Sequence, residues 1–375
     1  MPEEMNIRNK LYQEFVLDII EATDWAQGAD APLVVELDTT EACNLACPGC
    51  ISADLIEYKR RFSDERLMRL AEEFVQVGVK AVILIGGGEP LAHPEAGDFM
   101  EYLGKHDIHI GITTNGSFID KHLDFISRYS SWTRVSIDAA TDDMFNKLRP
   151  SKSGKSEFGK IIDNMRQLGH LKKGKLGFSY LIRTEADGFG LGSNIHEIYE
   201  AAVLARDIGC DYFEVKPGYS FAGGVDHELV KHDPARMQEA REEIERLSEL
   251  ETVGFSISKA INLKYSLNGV TEMQSKDYTS CPVTELRTLI CPSGVYVCPY
   301  WRGKERFCVG DLQVTGFAEM WNSKRRKQVQ EFLDPSKHCG FHCLRHESNL
   351  EIMDLDRRIK AGEQIDHIHE YDRFI

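Results

Sequence analysis

The chain has 375 residues, of which 42% are hydrophobic and 28% charged, and this composition is typical of a globular protein with two or three domains. Its formal net charge is −15 and its basic residues are scattered, which argues against a nucleic acid partner, because phosphate contacts need a clustered Lys/Arg surface. No apolar run approaches the ~20 residues of a membrane helix, and no export signal precedes residue 30, so we expect a cytoplasmic protein without a membrane partner.

The first predicted element is a helix over residues 6–24, where apolar residues recur with a helical period and acidic residues lie between them. We expect this helix to cover one end of the core. The apolar run Leu33–Leu37 then predicts a buried strand.

Three cysteines follow this strand within one short loop. Cys43, Cys47 and Cys50 have the spacing C-x3-C-x2-C, so their thiolates can reach one metal centre. A structural zinc site would need a fourth Cys or His nearby, and the next such residue is His93. A [4Fe–4S] cluster with one iron free for an exogenous ligand fits three cysteines better. The alternatives are a zinc knuckle and three loop cysteines without a metal.

The loop resembles the cysteine motif of the radical S-adenosylmethionine (radical SAM) enzymes. In that family the open iron binds the amino and carboxylate groups of the cofactor, and reductive cleavage yields a 5′-deoxyadenosyl radical that removes a hydrogen atom from the substrate. The resemblance implies a [4Fe–4S] cluster, S-adenosyl-L-methionine and an electron donor such as flavodoxin or ferredoxin. The chain departs from the family at Gly49, because the residue before the third cysteine is usually aromatic.

Helical segments and apolar, strand-like segments alternate from this loop to about residue 217. Strands are predicted at 33–37, 81–85, 108–112, 133–137, 176–182 and 212–215, and helices at 64–77, 94–104, 118–129, 156–168 and 194–208. This order predicts an α/β fold, a parallel sheet covered on both faces and curved as a (β/α)6 partial TIM barrel. Sites in such folds lie at the C-terminal ends of the strands.

Polar motifs lie at these strand ends. Gly86-Gly-Gly-Glu-Pro90 resembles the family's GGEP motif, in which the carboxylate, here Glu89, holds the cofactor's amino group. Thr113-Thr-Asn-Gly116 ends the third strand, and Ser136-Ile-Asp138 ends the fourth. The resemblance implies cofactor contacts from Gly87, Gly88, Glu89, Pro90, Thr114, Asn115, Ser136 and Asp138, the last two with the ribose hydroxyls. Each motif alone is also an ordinary turn, but their order after the cysteine loop favours the cofactor site.

The last two strands carry further candidates. The glycine-rich loop 185–194 lacks the Gly-Lys-Ser/Thr ending of a phosphate-binding loop, so we expect a lid or an adenosine contact, with Asn194 as a cofactor ligand or a helix N-cap. Alternation in the sixth strand places Glu214 and Lys216 on one face, which we expect to look into the barrel. They are the candidate catalytic bases. An outward-facing salt bridge between them is the alternative.

The pattern changes after about residue 220. An acidic helix over 233–251 is predicted to connect the barrel to a C-terminal domain. Apolar stretches on either side of Pro292-Ser-Gly294 predict a β-hairpin, which would bring Cys281 and Cys298 together at its open end.

Nine of the ten cysteines fall within 43–50 and 281–343, which favours metal binding over disulfides. The second group resembles the auxiliary-cluster domains called SPASM and, in the shortened form, twitch. The resemblance implies an auxiliary [4Fe–4S] cluster held by Cys281, Cys298, Cys339 and Cys343. Cys291 and Cys308 are then spare, unless either replaces one of these ligands. A zinc ribbon is the alternative, because its four-cysteine site uses similar spacing.

The predicted organisation has four parts: an N-terminal helix (1–30), the barrel core (31–220), a connecting helical segment (221–275) and a small α+β auxiliary-cluster domain (276–375). The resemblance implies an oxidoreductase. We expect a small polar substrate of the sugar, aminocyclitol or nucleoside type, as in natural-product biosynthesis, because the auxiliary domain is short and no leader-peptide-binding domain is recognised. The alternatives are an epimerase of such a substrate, a peptide-modifying enzyme, and a non-catalytic iron–sulfur carrier or sensor.

Overall fold

The computed structural model describes residues 7–220, 228–272 and 274–375. The start of the predicted first helix, at residue 6, and residues 221–227 and 273 of the predicted connecting segment lie outside the described residues. The strands are β1 (Val34–Leu37), β2 (Ala81–Leu84), β3 (His109–Thr114), β4 (Ser130–Ser136), β5 (Lys175–Leu181), β6 (Tyr212–Lys216), β7 (Tyr219–Ser220), β8 (Glu228–Leu229), β9 (Ser256–Lys259), β10 (Arg287–Cys291), β11 (Gly294–Tyr296) and β12 (Cys308–Gly310).

One ten-stranded sheet organises the molecule. The six predicted strands, β1 to β6, are parallel neighbours in chain order, which confirms the partial TIM barrel. Two further strands extend it in parallel, β9 beside β6 and β10 beside β1. The predicted connecting segment therefore contributes a strand, and the C-terminal region contributes another to the same sheet.

The helices surround this sheet. They are α1 (Ile7–Lys10), α2 (Glu14–Ala22), α3 (Ala53–Ile56), α4 (Asp64–Val77), α5 (Ala96–Lys105), α6 (Leu123–Tyr129), α7 (Asp142–Leu148), α8 (Phe158–Leu171), α9 (Ile198–Ile208), α10 (Pro234–Arg246), α11 (Leu263–Leu267), α12 (Val283–Leu286), α13 (Phe317–Trp321), α14 (Lys324–Phe332), α15 (Pro335–His338) and α16 (His346–Lys360). No described helix has the length and apolar character needed to cross a membrane.

Helix α4 shows how local sequence sets an element's bounds. The Ser63 side chain accepts a hydrogen bond from the Arg66 amide and caps the start, and Gly78 ends the helix at φ +83°. Its buried residues recur at helical spacing and pack on the sheet: Leu67, Leu70, Ala71 and Phe74. This helical spacing is the feature that predicted the helix from the sequence.

The N-terminal prediction needs a correction. Instead of one helix over 6–24, the chain forms α1 and α2, separated by residues 11–13. The Gln13 side chain accepts hydrogen bonds from the amides of Tyr371 and Asp372, so a contact with the C-terminal segment replaces helix continuity. Leu11 and the buried face of α2 cover the end of the barrel where the strands begin, in one apolar cluster with Val34.

The C-terminal region follows the predicted hairpin. β10 and β11 are antiparallel and pair Cys291 with Gly294, and β12 adds to β11. Because β10 is also parallel to β1, this hairpin joins the auxiliary cysteines rigidly to the barrel. The division of the chain into four parts stays a prediction.

Candidate active site

The cysteine loop lies on the wall of a cavity with a volume of about 1780 Å³. Cys43, Cys47 and Cys50 follow the C-terminal end of β1, and all three line this cavity. Backbone contacts fix the loop, since the Ala46 amide donates to the Pro150 carbonyl at 2.8 Å. The Asn115 side chain donates to Asn44 Oδ1 at 2.9 Å and lies 3.8 Å from the Cys43 sulfur.

The turn after β2 packs directly on this loop. A Cβ atom on Gly88 would stand 2.2 Å from the Ala42 carbonyl oxygen, so only glycine allows this approach. The Glu89 amide donates to the same carbonyl at 2.8 Å. As a result, Gly87, Gly88 and Glu89 line the cavity beside the cysteines.

Glu89 is almost fully buried, and its carboxylate is held by the end of β3. It accepts hydrogen bonds from the Thr114 hydroxyl at 2.6 Å and from the amides of Asn115 at 2.7 Å and Leu91 at 3.1 Å. All three donors are uncharged, so they orient the carboxylate without matching its charge. Burial raises the pKa of Glu89 to about 7. A cationic ligand at this position would lower that pKa again.

The end of β4 presents Ser136 and Asp138 to the cavity. Asp138 adopts φ +63°, an unusual conformation for a residue other than glycine. One of its carboxylate oxygens pairs with the Arg149 guanidinium, at 2.6 Å, and the other accepts from the Leu181 amide at 2.8 Å. The Asp138 carboxylate is therefore already partnered by the protein, whereas Ser136 is half-buried beside it.

Two of the predicted cofactor residues do not reach the cavity wall. Pro90 is buried at the start of a short 3-10 helix behind Glu89. Asn194 is fully buried and lies at the predicted N-cap position, but its side chain does not cap the helix. It donates instead to the carbonyls of Asp138 and Leu181 and accepts from the Arg183 amide. These bonds use the side chain to fasten the 185–194 loop to β5.

Glu214 and Lys216 of the sixth strand line the cavity, and they form an ion pair there and not on an outward face. Glu214 lies 3.5 Å from the Lys216 ammonium and 3.1 Å from the Arg134 guanidinium. Burial alone would raise the pKa of Glu214, but these two cations hold it below its ordinary value. Burial lowers the pKa of Lys216, and Glu214 offsets part of that shift. All three side chains line the cavity.

Arg134 is a site residue that the sequence reasoning missed. It lies on β4 two residues before Ser136, so the period of two that placed Glu214 on the inner face also places Arg134 there. The alternation of side chains along β4 could therefore have identified Arg134 from the sequence.

The predicted auxiliary ligands also lie on the wall of this cavity. Cys281, Cys298, Cys339 and Cys343 all line it. Burial, together with the neighbouring Cys343, raises the pKa of Cys281 to about 12. The Asn349 side chain donates to the Cys281 sulfur at 3.2 Å. The hairpin therefore brings Cys281 and Cys298 to one place, together with the later pair.

The spare cysteines lie elsewhere. Cys291 is buried and its thiol donates to the Asp38 carboxylate at 3.1 Å, while Cys308 packs against Gly294 at the other end of the hairpin. Neither belongs to the cavity wall. In the part of the chain that the structure describes, no three His, Cys, Asp or Glu side chains are grouped as ligands of a single metal ion.

Residues 37–188 match the model of the Radical SAM superfamily. They form a radical SAM domain. The matched segment begins at the last residue of β1 and contains the cysteine loop, the glycine turn after β2 and the ends of β3 and β4, which are the parts that meet at the cavity.

Two curated proteins are similar to about half of this chain. Mycofactocin maturase MftC of Mycolicibacterium smegmatis is 24% identical over 185 residues, which cover 49% of this chain and 44% of that protein. The subtilosin biosynthesis protein AlbA of Bacillus subtilis is 25% identical over 198 residues, which cover 52% of this chain and 41% of AlbA. The chain thus spans less than half the length of these relatives.

Solved structures share the fold. Streptococcus suis SuiB bound to S-adenosylmethionine superposes with a TM-score of 0.61 at 15% identity, covering 92% of this chain and 78% of SuiB. The protein anSMEcpe with bound AdoMet gives a TM-score of 0.54 at 16% identity and covers 88% of this chain and 99% of its own. These likenesses extend beyond the radical SAM domain into the C-terminal region.

A radical SAM domain works with a [4Fe–4S] cluster and S-adenosylmethionine, and the residues present fit both groups. Burial raises the pKa of Cys43 to about 12, and metal coordination is what deprotonates such a thiol. For the cofactor, the close approach of Gly88 to Ala42 leaves backbone exposed beside the cysteines, and the Glu89 charge is not matched by its hydrogen-bond donors.

The space beside Gly49 is filled by an aromatic side chain from another loop. This residue has φ +68°, and a Cβ atom there would stand 2.4 Å from the Phe189 ring. The Arg183 guanidinium lies 5.0 Å from the centre of the same ring. Phe189 from the 185–194 loop therefore fills the space beside the third cysteine, where the family usually has an aromatic residue in the loop itself.

Proposed function

We propose that this protein is a radical SAM oxidoreductase that oxidises a peptide substrate. The main observation in support is that cysteines from two separate groups, 43–50 and 281–343, line one cavity. A substrate held between them is within reach of both. When bound, the two clusters and S-adenosylmethionine supply a 5′-deoxyadenosyl radical for hydrogen abstraction and an acceptor for the second electron.

The chain's own residues have distinct tasks in this proposal. Cys43, Cys47 and Cys50 hold the first cluster, and Glu89 binds the cofactor's ammonium group. Ser136 is placed to contact the ribose. The 2.6 Å pair with Arg149 fixes the orientation of the Asp138 carboxylate, so Asp138 shapes the wall of the pocket.

Oxidation also needs a base that takes a proton from the substrate. Lys216 is the better candidate, because its burial lowers its pKa and favours the neutral amine that can accept a proton. Glu214 has a lowered pKa and two cationic partners, which makes it a weak base and a good positioning group for Lys216. The Arg134 guanidinium pairs with the same Glu214 carboxylate at 3.1 Å.

The position of the spare thiols supports oxidation over epimerisation. An epimerase needs a hydrogen donor that faces the substrate radical, and a cysteine thiol is the expected donor. Among the described residues, the cysteines on the cavity wall are those assigned to the two clusters, while Cys291 and Cys308 lie away from it. Oxidation needs no such thiol.

A peptide is supported over a sugar or nucleoside by two observations. The relatives described above are a maturase and a bacteriocin biosynthesis protein, and SuiB has also been crystallised with its precursor peptide SuiA. The cavity of about 1780 Å³ exceeds the roughly 300–1,000 Å³ of small-molecule pockets, which leaves room for a chain segment beside the cofactor. A small polar substrate remains the second candidate, because the inner wall is lined by charged groups such as Arg134 and Glu214.

A deuterium-transfer assay tests this proposal. The reconstituted enzyme is incubated with S-adenosylmethionine, reductant and metabolite extract from fully deuterated cells, and the 5′-deoxyadenosine formed is analysed by mass spectrometry. We expect deuterated 5′-deoxyadenosine, and we expect protease treatment of the extract to abolish the label. A label that survives protease treatment and passes a small-pore membrane would assign a small substrate instead. Cofactor cleavage without any label in any fraction would contradict the oxidase assignment.

A further inference from the structure

Basic residues that are scattered along the sequence gather on one outer face. The segments 52–61, 302–308 and 324–327 contain ten Lys/Arg and three Asp/Glu, whereas the whole chain has 45 and 60. Two of the ten, Arg302 and Arg326, are buried and paired with Asp38 and Glu285. The other eight reach solvent. We call these three segments the basic ridge.

Direct contacts join the three segments. The Arg302 guanidinium lies 3.4 Å from the Ser52 hydroxyl, and a Cβ atom on Gly303 would be 3.3 Å from the Leu55 side chain. On the other side, the Arg325 guanidinium donates to the carbonyls of Glu305 and Cys308. The ridge is therefore one continuous surface.

This surface lies beside both cysteine groups. Its first segment begins two residues after Cys50, and its second begins four residues after Cys298. Exposed apolar side chains accompany the charges: Tyr58 is 67% exposed and Ile51 is 52% exposed. Tyrosine and arginine side chains are enriched at protein interfaces.

We propose that the basic ridge is the docking surface for an acidic electron-carrier protein, an inference that rests on the proposed function. Radical SAM chemistry requires an external reductant, and a low-potential carrier with an acidic face matches the ridge in charge. In each encounter the carrier is oxidised by one electron and the [4Fe–4S] centre is reduced by one electron, with no atom transferred. The whole chain has a net charge of −15 even with the ridge included, so the surface outside the ridge repels such a carrier and directs it to the ridge.

Charge reversal tests the proposal with an acidic flavodoxin as the probe. The ridge variant carries Lys59→Glu, Lys304→Glu and Lys324→Glu. The matched control carries Lys121→Glu, Lys147→Glu and Lys264→Glu, three exposed lysines on other elements with the same total change of charge. Association of flavodoxin with each holoenzyme is followed by biolayer interferometry, and 5′-deoxyadenosine formation is measured with flavodoxin and with dithionite.

We expect the association rate of the ridge variant to fall about tenfold or more at low ionic strength, with a smaller effect in the control, and the difference to shrink as salt screens the charges. The flavodoxin-driven rate should fall in parallel while the dithionite-driven rate is unchanged. Equal flavodoxin association and turnover in the wild type and the ridge variant would overturn the docking proposal. Loss of dithionite-driven turnover in the wild type would instead contradict the proposed function.

Discussion

At the scale of single residues, the site combines buried charges with neutral hydrogen-bond donors. Glu89 is the main example, since its three donors are uncharged and burial raises its pKa to about 7. The protein thus orients a carboxylate whose charge is left for a ligand to match. Three predictions follow from this residue and from Gly49.

Glu89→Gln should weaken S-adenosylmethionine binding without removing the cluster. The substitution keeps the shape of the side chain but loses a charge-assisted contact of about 1.5–3 kcal/mol, so the Kd should rise tenfold or more. Calorimetry on the reconstituted protein measures this change, and the iron content checks the cluster. Asp98→Asn, an exposed acid on α5, is the control and should bind normally. An unchanged Kd for Glu89→Gln would remove this residue from the cofactor site.

The raised pKa of Glu89 predicts a proton release on cofactor binding. A folded-state pKa of about 7, above the ordinary value of 4.5, means that folding takes up a proton between these two pH values. The group's contribution to stability is therefore full below about pH 4.5 and is lost as the pH rises through 7. A cationic ligand favours the carboxylate and expels the proton near pH 7. Calorimetry in two buffers of different ionisation enthalpy should detect this release in the wild type and lose it in Glu89→Gln.

Gly49→Phe should impair cofactor binding through a clash with Phe189, and the double variant Gly49→Phe/Phe189→Ala should recover part of it. The new ring would enter space that Phe189 occupies, 2.4 Å from a Cβ atom at position 49. The left-handed backbone at φ +68° adds roughly 1–2 kcal/mol, so recovery should be incomplete. The Kd for S-adenosylmethionine is the measurement. If the double variant is no better than the single one, the two rings do not share this space.

At the scale of elements, buried ion pairs fasten the C-terminal region to the barrel. The Arg302 guanidinium, from the segment after Cys298, lies 2.9 Å from Asp38 at the end of β1. Asp38 is fully buried, and burial raises its pKa to about 6 despite this cation. Arg287 on β10 pairs in the same way with Glu36 on β1. These pairs fix the two cysteine groups relative to each other.

Arg302→Met should destabilise the protein by about 3–5 kcal/mol, because it leaves the Asp38 charge buried and unpaired. The double variant Arg302→Met/Asp38→Asn should regain much of this loss, since no buried charge then remains. Chemical denaturation of the holoenzyme gives both values. Arg358→Met, which breaks an exposed pair with Glu363, is the control and should change stability little. Equal stability of Arg302→Met and wild type would contradict the coupling.

At the scale of the whole molecule, one eight-stranded parallel array and one cavity hold both cysteine groups. β9 and β10 carry the parallel sheet past the six predicted strands. The C-terminal region thereby becomes part of the barrel wall and contributes residues to the lining of the cavity.

The reconstituted protein should contain about eight irons, as two [4Fe–4S] clusters. Replacing Cys43, Cys47 and Cys50 with Ala should leave about four and abolish 5′-deoxyadenosine formation. Replacing Cys281 and Cys298 with Ala should also leave about four, but cofactor cleavage should persist. Iron and zinc analysis distinguishes an auxiliary cluster from a zinc ribbon. About four irons together with bound zinc in the wild type would favour the zinc ribbon.

The sequence by itself determined the features that depend on short separations along the chain. The cysteine spacing in 43–50, the turn 86–90 and the order of strands β1 to β6 each leave a local pattern of ligand spacing, glycine or period. The tertiary structure alone decided that Phe189 fills the space beside Gly49, that Arg302 pairs with Asp38, and that Asn194 serves the fold. These contacts join residues that are distant in sequence. The residues next to a charged, aromatic or amide side chain do not reveal which distant residue it will contact. The same reason explains why the scattered basic residues form a ridge only in the folded protein.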